Sequence, residues 1–151
     1  STERIKTLTL VSAAGIRVVG VPMGDIFMWS EEERARNTFY DQKIAEQRLG
    51  VNFSDEEKDV QLQNFFTTGK LSWNPRFHNP NLERWLHRIK VPTMILWGDS
   101  DKIFPPAYGE AYKAAIPGSE LRIIPQCGHL PHQEKLTEFL AGIDTITNGA
   151  A

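Results

Sequence analysis

Two turn segments in the second half of the chain carry the side chains best suited to chemistry. Asp99 and Asp101 follow the apolar stretch 94–97, and His129 follows a second apolar stretch, 121–124. If both stretches are parallel strands, the two turns lie side by side at the carboxyl edge of one sheet. A carboxylate there would orient the imidazole and stabilise its protonated form, which is how the base of a nucleophilic triad is held. The two segments therefore predict an acid–base pair that would act on a nucleophile supplied from elsewhere.

Two carboxylates compete as the partner of His129. Asp101 lies deeper in the turn, and the Phe-Pro-Pro run at 104–106 behind it would fix its direction. In this role Asp101 would accept the Nδ1 proton of the imidazole and hold its tautomer. Asp99 is the alternative, and either aspartate would otherwise simply cap the turn or the helix that follows.

Other candidate nucleophiles and ligands fit these roles less well. Cys127 is too close to His129 in the chain for the in-line geometry of a nucleophile and its base, so we predict a small buried residue. Ser12 ends a predicted strand without the glycine two positions earlier that a G-x-S-x-G turn requires, so we predict a structural role. The sequence has no glycine-rich phosphate loop. Three further histidines are too scattered for a metal-ligand spacing: His78, His87 and His132.

The elements that must position the two turns alternate along the chain. Residues 5–12 are rich in β-branched side chains and predict a first strand, with a second at 93–97 and a third at 121–124. Two stripes at helical spacing flank the third strand: Tyr108, Ala111, Tyr112, Ala115 and Ile116 before it, and Leu136, Phe139, Leu140 and Ile143 after it. This alternation predicts an α/β fold with a parallel sheet and right-handed crossovers.

A long helical insertion separates the first two predicted strands. Residues 22–90 are far too many for an ordinary connection. Segments 30–33 and 54–57 have the capping-box pattern of a serine followed three positions later by a glutamate. The first helix is expected to run to about residue 49, and the second to end near Gly69. A third is expected after Pro80, with one apolar face: Leu82, Trp85, Leu86 and Ile89.

The composition describes an ordinary globular protein and excludes several classes. The 151 residues suffice for one domain with a modest core. A net charge of −2 gives no basis for a nucleic-acid or membrane-surface partner. The single cysteine rules out an internal disulfide framework and fits a reducing compartment. No apolar run approaches the roughly 20 residues of a membrane helix, and the amino terminus lacks the apolar core of a signal peptide. We therefore expect a cytoplasmic protein without a membrane partner.

The helical insertion is rich in aromatic residues. Most of them are expected to form the small core of the insertion itself. A helical layer above the two turns would direct some of them toward the site, where they would form an apolar pocket for a small-molecule substrate. The predicted pocket wall consists of Met28, Trp29, Phe66 and Trp73.

Several segments resemble the α/β-hydrolase superfamily. Residues 91–105 (VPTMILWGDSDKIFP) are similar to its seventh strand and acid turn, and residues 116–134 to its eighth strand and histidine loop. Residues 6–16 resemble the sixth strand. The spacing between Asp101 and His129 is typical of capped members, such as the carbon–carbon bond hydrolases that cleave ring-fission products.

The resemblance implies a division of the chain and an incomplete catalytic set. The expected parts are a first core strand with its exit loop at 1–21, a helical cap at 22–90, the remaining strands, helices and both turns at 91–146, and a frayed tail at 147–151. The family's first five strands, oxyanion-hole loop and nucleophile turn have no counterpart here. We therefore expect the carboxyl-terminal half of a longer enzyme, inactive by itself. The resemblance implies no dissociable cofactor and no metal.

Three functional hypotheses remain open. The preferred one is part of a hydrolase acting on ester or carbon–carbon bonds of a small, largely apolar or aromatic substrate, with His129 as general base and Asp101 as its orienter. Epoxide hydrolases and haloalkane dehalogenases share the architecture with an aspartate nucleophile, and the residues present do not separate them. The third is a non-catalytic interaction module whose open sheet edge pairs with a missing amino-terminal half or with a second copy.

Overall fold

The computed structural model describes residues 4–147, which form one parallel sheet and seven helices. Strand β1 is Leu8–Val11, β2 is Thr93–Gly98 and β3 is Glu120–Ile124, in the spatial order β1-β2-β3. Both strand pairs are parallel. The predicted α/β class with three parallel strands and flanking helices is thereby confirmed, although β1 is shorter than the predicted 5–12.

Strand β2 lies at the centre of the sheet and is buried along its whole length. In the register of the sheet, Ile95 lies opposite Leu10 of β1 and Leu121 of β3. Helix α5 (Ala107–Ala115) connects β2 to β3, and α7 (Leu136–Thr147) ends the described chain. Successive side chains of a strand point to opposite faces, and each face of β2 therefore meets a different apolar cluster. One cluster contains Ile95, Trp97, Tyr108, Tyr112 and Ile116, and the other Met94, Leu96, Phe139, Ile143 and Ile146.

The inward face of α7 is rotated relative to the predicted stripe. Leu136 and Leu140 are exposed, whereas Gly142 and Ile146 are buried. A short helix, α6 (Pro131–Glu134), precedes α7 and was not predicted. Thr147 is the last residue of α7, and the rest of the predicted frayed tail, 148–151, lies outside the described residues.

Four helices lie between β1 and β2. They are α1 (Glu31–Thr38), α2 (Gln42–Leu49), α3 (Asp55–Ser72) and α4 (Glu83–Leu86). Complete capping boxes begin α1 at Ser30 and α3 at Ser54, as the sequence predicts.

The prediction of one helix from Ser30 to about residue 49 is wrong. The chain leaves the helix after Thr38, because Phe39 adopts an extended backbone and buries its ring. The Asp41 carboxylate then accepts a hydrogen bond from the Lys43 N–H and caps α2. Burial of one aromatic side chain therefore divides a continuous polar helical pattern into two helices, joined by the segment 39–41, here called the α1–α2 junction.

The ends of α3 and α4 also differ from the predictions. Helix α3 passes through Gly69 and ends at Ser72, since a single glycine costs only about 1 kcal/mol relative to alanine in a helix. The third predicted helix is reduced to α4, in which Leu86 is buried and Trp85 is exposed. Main-chain hydrogen bonds of 2.9 Å join Gly15 to Phe77 and Asn79, so the segment between α3 and α4 lies beside the loop that follows β1.

No helix within residues 4–147 combines the length and the apolar character needed to cross a membrane.

Candidate active site

Asp101 and His129 contact each other at the carboxyl edge of the sheet. The Nδ1 atom of His129 lies 2.9 Å from Oδ2 of Asp101. The Asp101 side chain is fully enclosed, and 20% of the His129 side chain is exposed. An ionised carboxylate only accepts hydrogen bonds, so Nδ1 carries the proton and Nε2 has a free lone pair. This arrangement suits an imidazole that takes up a proton at Nε2.

The direction of the Asp101 side chain is fixed by the backbone behind it. Its Oδ1 atom accepts hydrogen bonds from the N–H groups of Ile103 at 2.8 Å and Phe104 at 2.9 Å. The indole N–H of Trp97, which belongs to β2, donates to the Phe104 carbonyl at 2.7 Å. The sheet thereby holds the turn, and the turn leaves Oδ2 for His129.

Gly98 allows the two turns to approach each other. A Cβ atom at this position would overlap the main-chain carbonyl oxygens of Cys127 and Gly128. The Ser100 N–H donates to the Cys127 carbonyl at 3.0 Å, which adds a direct main-chain bond between the turns. A side chain at position 98 would separate the carboxylate from the imidazole, so the glycine is part of the geometry of the pair.

Asp99, the alternative partner of His129, lies on the other side of the turn. Its Oδ1 accepts hydrogen bonds from the Ser100 hydroxyl at 2.7 Å and from the Cys127 N–H at 3.3 Å. Partial burial opposes ionisation, but these bonds and that from the Gln126 N–H outweigh it, so the pKa of Asp99 is lowered. Asp99 therefore closes the gap between the two turns, and the structure places Asp101 against the imidazole.

His129 is also held through its main chain and its ring face. Its N–H donates to the Thr38 carbonyl at 2.7 Å. This bond attaches the segment between β3 and α6, residues 125–130 and here called the histidine loop, to the end of α1. The Phe104 ring lies 5.7 Å from the imidazole, centroid to centroid. Within residues 4–147, Nε2 has no hydrogen-bond partner. The atom that would take a proton from a nucleophile is therefore open to a group outside these contacts.

Cys127 and Ser12 are both buried, as small structural residues would be. Burial raises the pKa of the Cys127 thiol to about 12, which keeps it protonated and unsuited to nucleophilic attack at neutral pH. Ser12 follows β1 with a φ of 42°. Its hydroxyl is buried without a hydrogen-bond partner among the described residues.

The four predicted pocket-wall residues occupy different environments. Met28, Phe66 and Trp73 are each more than half exposed, and Trp29 is half-buried against the main core. Trp73 stacks with the Arg76 guanidinium, which lies 4.1 Å from its ring centroid. The four residues thus differ in exposure, and their role in a pocket stays a prediction.

A cleft of about 730 Å³ opens elsewhere, between the exit from β1 and the segment that follows α3. Its polar lining includes Arg17, Arg76, His78 and Tyr108, and residues 18–23 supply most of its apolar lining. None of the predicted wall residues lines this cleft in the described part of the chain. Arg76 is paired there with Asp25 at 2.6 Å.

Sequence analysis missed two residues that hold the histidine loop. Thr38 contributes through its carbonyl, for which residue type gives no signal. Glu134 lies in the unpredicted helix α6, and its carboxylate accepts the Gly128 N–H at 2.8 Å. The residues that the structure describes include no group of three or more side chains arranged to hold a metal ion.

Comparisons with known proteins bear on the fold of the chain. The family model for the α/β hydrolase fold matches residues 17–136. A 2-hydroxy-6-oxononadienedioate/2-hydroxy-6-oxononatrienedioate hydrolase from Pseudomonas putida is 36% identical over 98 residues, which cover 65% of this chain and 32% of the relative. Lipase 1 from Psychrobacter immobilis is 26% identical over 107 residues, covering 71% of this chain and 26% of the lipase.

A solved structure shows the same fold. The meta-cleavage product hydrolase CumD, crystallised as a mutant, superposes with a TM-score of 0.70 at 17% identity. The superposition covers 99% of this chain and 58% of CumD. The matched region thus spans less than two thirds of the length of each of these proteins.

Proposed function

Because the chain belongs to the α/β hydrolase fold family, we propose that it supplies the base and the acid of a nucleophile–His–Asp triad. The observation that carries the proposal is the 2.9 Å contact between His129 Nδ1 and the enclosed Asp101 carboxylate. His129 is the general base, and Asp101 holds its tautomer and stabilises the imidazolium. In this proposal the helices between β1 and β2 form the cap above the site.

The proposed reaction passes one proton through Nε2 of His129 in each of its two halves. A hydroxyl nucleophile attacks the substrate carbonyl carbon and transfers its proton to Nε2. The imidazolium then gives this proton to the leaving oxygen of an ester, or to the leaving carbon when a carbon–carbon bond breaks. Water then gives a proton to Nε2 and attacks the acyl carbon. As the bond between that carbon and the nucleophile oxygen breaks, the imidazolium returns the proton to this oxygen. The chain's own residues bind and move the proton, and no metal or cofactor is required.

The proposed substrate is a small molecule with an ester or an activated carbon–carbon bond and a largely apolar or aromatic body. The relative named a 2-hydroxy-6-oxononadienedioate/2-hydroxy-6-oxononatrienedioate hydrolase supports the carbon–carbon bond as a target. The aromatic residues between β1 and β2 support the apolar or aromatic body. The lipase among the relatives favours keeping esters in the proposal. The Asp101–His129 pair does not distinguish an ester from a carbon–carbon bond, because it only accepts and donates the proton.

The test is an activity assay on the full-length natural gene product. The parent protein and four variants are assayed with a panel of p-nitrophenyl esters and 2-hydroxy-6-oxo-dienoates. The variants are His129→Gln, Asp101→Asn, His87→Gln and Asp99→Asn. We expect the first two substitutions to reduce kcat by about three orders of magnitude or more. His87 is an exposed histidine at the end of α4, and His87→Gln is expected to match the parent. Undiminished turnover by His129→Gln would exclude the proposed base.

The 151-residue chain alone is expected to be inactive, because Nε2 of His129 lacks a hydroxyl partner within residues 4–147. A fluorophosphonate, followed by intact-mass measurement, should add no mass to it. Stoichiometric labelling would contradict this expectation and would identify a serine nucleophile inside the chain.

Two alternatives remain as outcomes of the same experiments. Turnover of epoxides or haloalkanes with no ester hydrolysis would identify an aspartate nucleophile, which the same base would serve. Concentration-dependent association of the chain in light scattering, with no activity in the full-length product, would favour an interaction module that pairs through the open edge of β1.

A further inference from the structure

We infer that Glu134 is a positioning residue that couples the α1–α2 junction to the histidine loop. The inference rests on the proposed function, since it concerns the placement of the proposed base. It begins from the observation that one carboxylate accepts three main-chain hydrogen bonds from two distant parts of the chain. Oε1 accepts the N–H of Gly128 at 2.8 Å. Oε2 accepts the N–H groups of Tyr40 at 2.7 Å and Asp41 at 3.0 Å.

The partners of Glu134 show that its role is geometric. Within residues 4–147, its carboxylate forms no ion pair with a lysine, arginine or histidine side chain. All three partners are peptide N–H groups, whose positions follow the backbone and not a flexible side chain. A carboxylate has two oxygens that accept at fixed separation, so it fixes Gly128 and the α1–α2 junction relative to each other.

A parallel contact makes the same connection at the next residue. The His129 N–H donates to the carbonyl of Thr38, the last residue of α1. The approach is so close that a Cβ atom on Gly128 would overlap the Thr38 carbonyl oxygen and would lie 2.9 Å from both Tyr40 N and Glu134 Oε1. The backbone on either side of the Cα of Gly128 is thus attached to the α1–α2 junction, through Glu134, and to Thr38, the residue just before that junction.

An apolar contact supports the polar one. Leu130, which follows His129, packs against the cluster of Ala35, Phe39 and Ala45. Phe39 is the residue whose burial separates α1 from α2. Three successive residues of the histidine loop, Gly128, His129 and Leu130, are therefore held by the α1–α2 junction or by Thr38 just before it. The placement of the imidazole against Asp101 accordingly depends on the position of the junction.

Replacement of Glu134 by glutamine removes one of the two connections while keeping the shape of the side chain. The glutamine amide has one acceptor oxygen. In either orientation its NH₂ group would lie against main-chain N–H groups, from which it cannot accept a hydrogen bond. The side chain can then satisfy Gly128 or the Tyr40–Asp41 pair, but not both. Aspartate keeps both oxygens on a shorter side chain and should retain part of the coupling. Glu138→Gln, an exposed glutamate one turn along in α7, is the matched control.

The experiment uses the ¹⁵N-labelled chain and two NMR readouts. The first is amide exchange at Gly128, His129 and Tyr40, with the central strand amides Ile95 and Leu96 as internal reference. The second is the proton resonance of the His129 Nδ1–H that is shared with Asp101. For Glu134→Gln we expect at least tenfold faster exchange on the side that loses its acceptor, which is either Gly128 or Tyr40. We also expect unchanged exchange in β2 and a weakened or broadened Nδ1–H signal. Glu134→Asp should be intermediate, and Glu138→Gln should match the parent.

Two results would overturn the inference. One is a Glu134→Gln chain with the parent Nδ1–H resonance, since the imidazole would then be placed without the carboxylate. The other is a uniform increase in exchange that includes β2, since Glu134 would then stabilise the whole fold. Neither NMR readout depends on turnover. An inactive full-length product would therefore overturn the proposed hydrolase function, while the coupling between the junction and the imidazole would still be tested by the two NMR signals.

Discussion

The imidazole of His129 is held at Nδ1 by a carboxylate that is itself held by the backbone of its own turn. Asp101 uses Oδ2 for His129, at 2.9 Å, and Oδ1 for the N–H groups of Ile103 and Phe104. Because its two oxygens serve different partners, the carboxylate cannot rotate toward the imidazole without losing the turn. The relationship therefore fixes the tautomer of His129 as well as its position.

Asp101→Asn should reverse this tautomer. The asparagine oxygen can still accept from the turn, which places the NH₂ group against Nδ1 and forces that nitrogen to accept. Long-range ¹⁵N–¹H spectra should then show the proton on Nε2, and kcat of the full-length product should fall about 10⁴-fold, as expected when a triad base has the wrong tautomer. Asp99→Asn is the control and should leave the ring spectrum unchanged, while an Asp101→Asn spectrum like that of the parent would refute the assignment.

Gly98→Ala should destabilise the fold and separate the two turns. Its methyl group would overlap the carbonyl oxygens of Cys127 and Gly128, and overpacking of this kind costs about 1–3 kcal/mol or more. Urea denaturation should show this loss, together with a weaker Nδ1–H signal from His129. Gly118→Ala is a useful comparison, because that glycine has open space around it and a φ of 75°. The destabilisation by Gly118→Ala should come from backbone strain alone. A larger loss of unfolding free energy for Gly118→Ala than for Gly98→Ala would contradict the steric argument.

Ser12→Ala should raise the free energy of unfolding by about 1 kcal/mol, because an unpaired buried hydroxyl is removed. The hydroxyl of Ser12 is buried without a partner among the described residues, whereas the buried hydroxyl of Ser119 donates to the Ile116 carbonyl at 2.8 Å. Ser119→Ala should therefore change stability in the opposite direction by a similar amount. Denaturation curves of the two variants provide the measurement, and equal signs would show that the two hydroxyls do not differ in this way.

Stability should decrease at alkaline pH because of Cys127. Burial raises the pKa of its thiol to about 12 in the folded chain, against about 8.5 in an unfolded one. The neutral thiol is favoured by folding, so its contribution is complete below about pH 8.5 and is lost as pH rises toward 12. The slope contributed by one such group is at most about 1.4 kcal/mol per pH unit. Tyr112, whose pKa burial also raises to about 12, adds to the decrease above about pH 10.

Cys127→Ala isolates the contribution of the thiol to this decrease. Urea denaturation of the variant between pH 7 and 10 should give a flatter profile than that of the parent, with a small constant loss of packing. The parent thiol should also resist iodoacetamide at pH 8 until urea is added. Rapid alkylation of the folded chain would show that the thiol is accessible and reactive, contrary to its burial.

The sequence by itself determined the α/β class, the order β2, α5, β3 and α7 after residue 90 without the short α6, and both capping boxes. These features follow from local chemistry, since side-chain alternation, helical spacing and serine–glutamate pairs act over a few residues. The placement of Asp101 and His129 at one sheet edge also followed, because consecutive parallel strands end on the same side. The choice of Asp101 over Asp99 needed family resemblance as well, since both carboxylates lie in the same turn.

Only the tertiary structure decided how the histidine loop is held. The break between α1 and α2 arises because the Phe39 ring is buried, and the contacts from Thr38 and Glu134 join residues about 90 positions apart. Main-chain carbonyl and amide partners carry no residue-type signal, so a pattern cannot locate them. The sequence thus predicts which side chains could exchange a proton, whereas long-range packing determines the position of the His129 imidazole relative to Asp101.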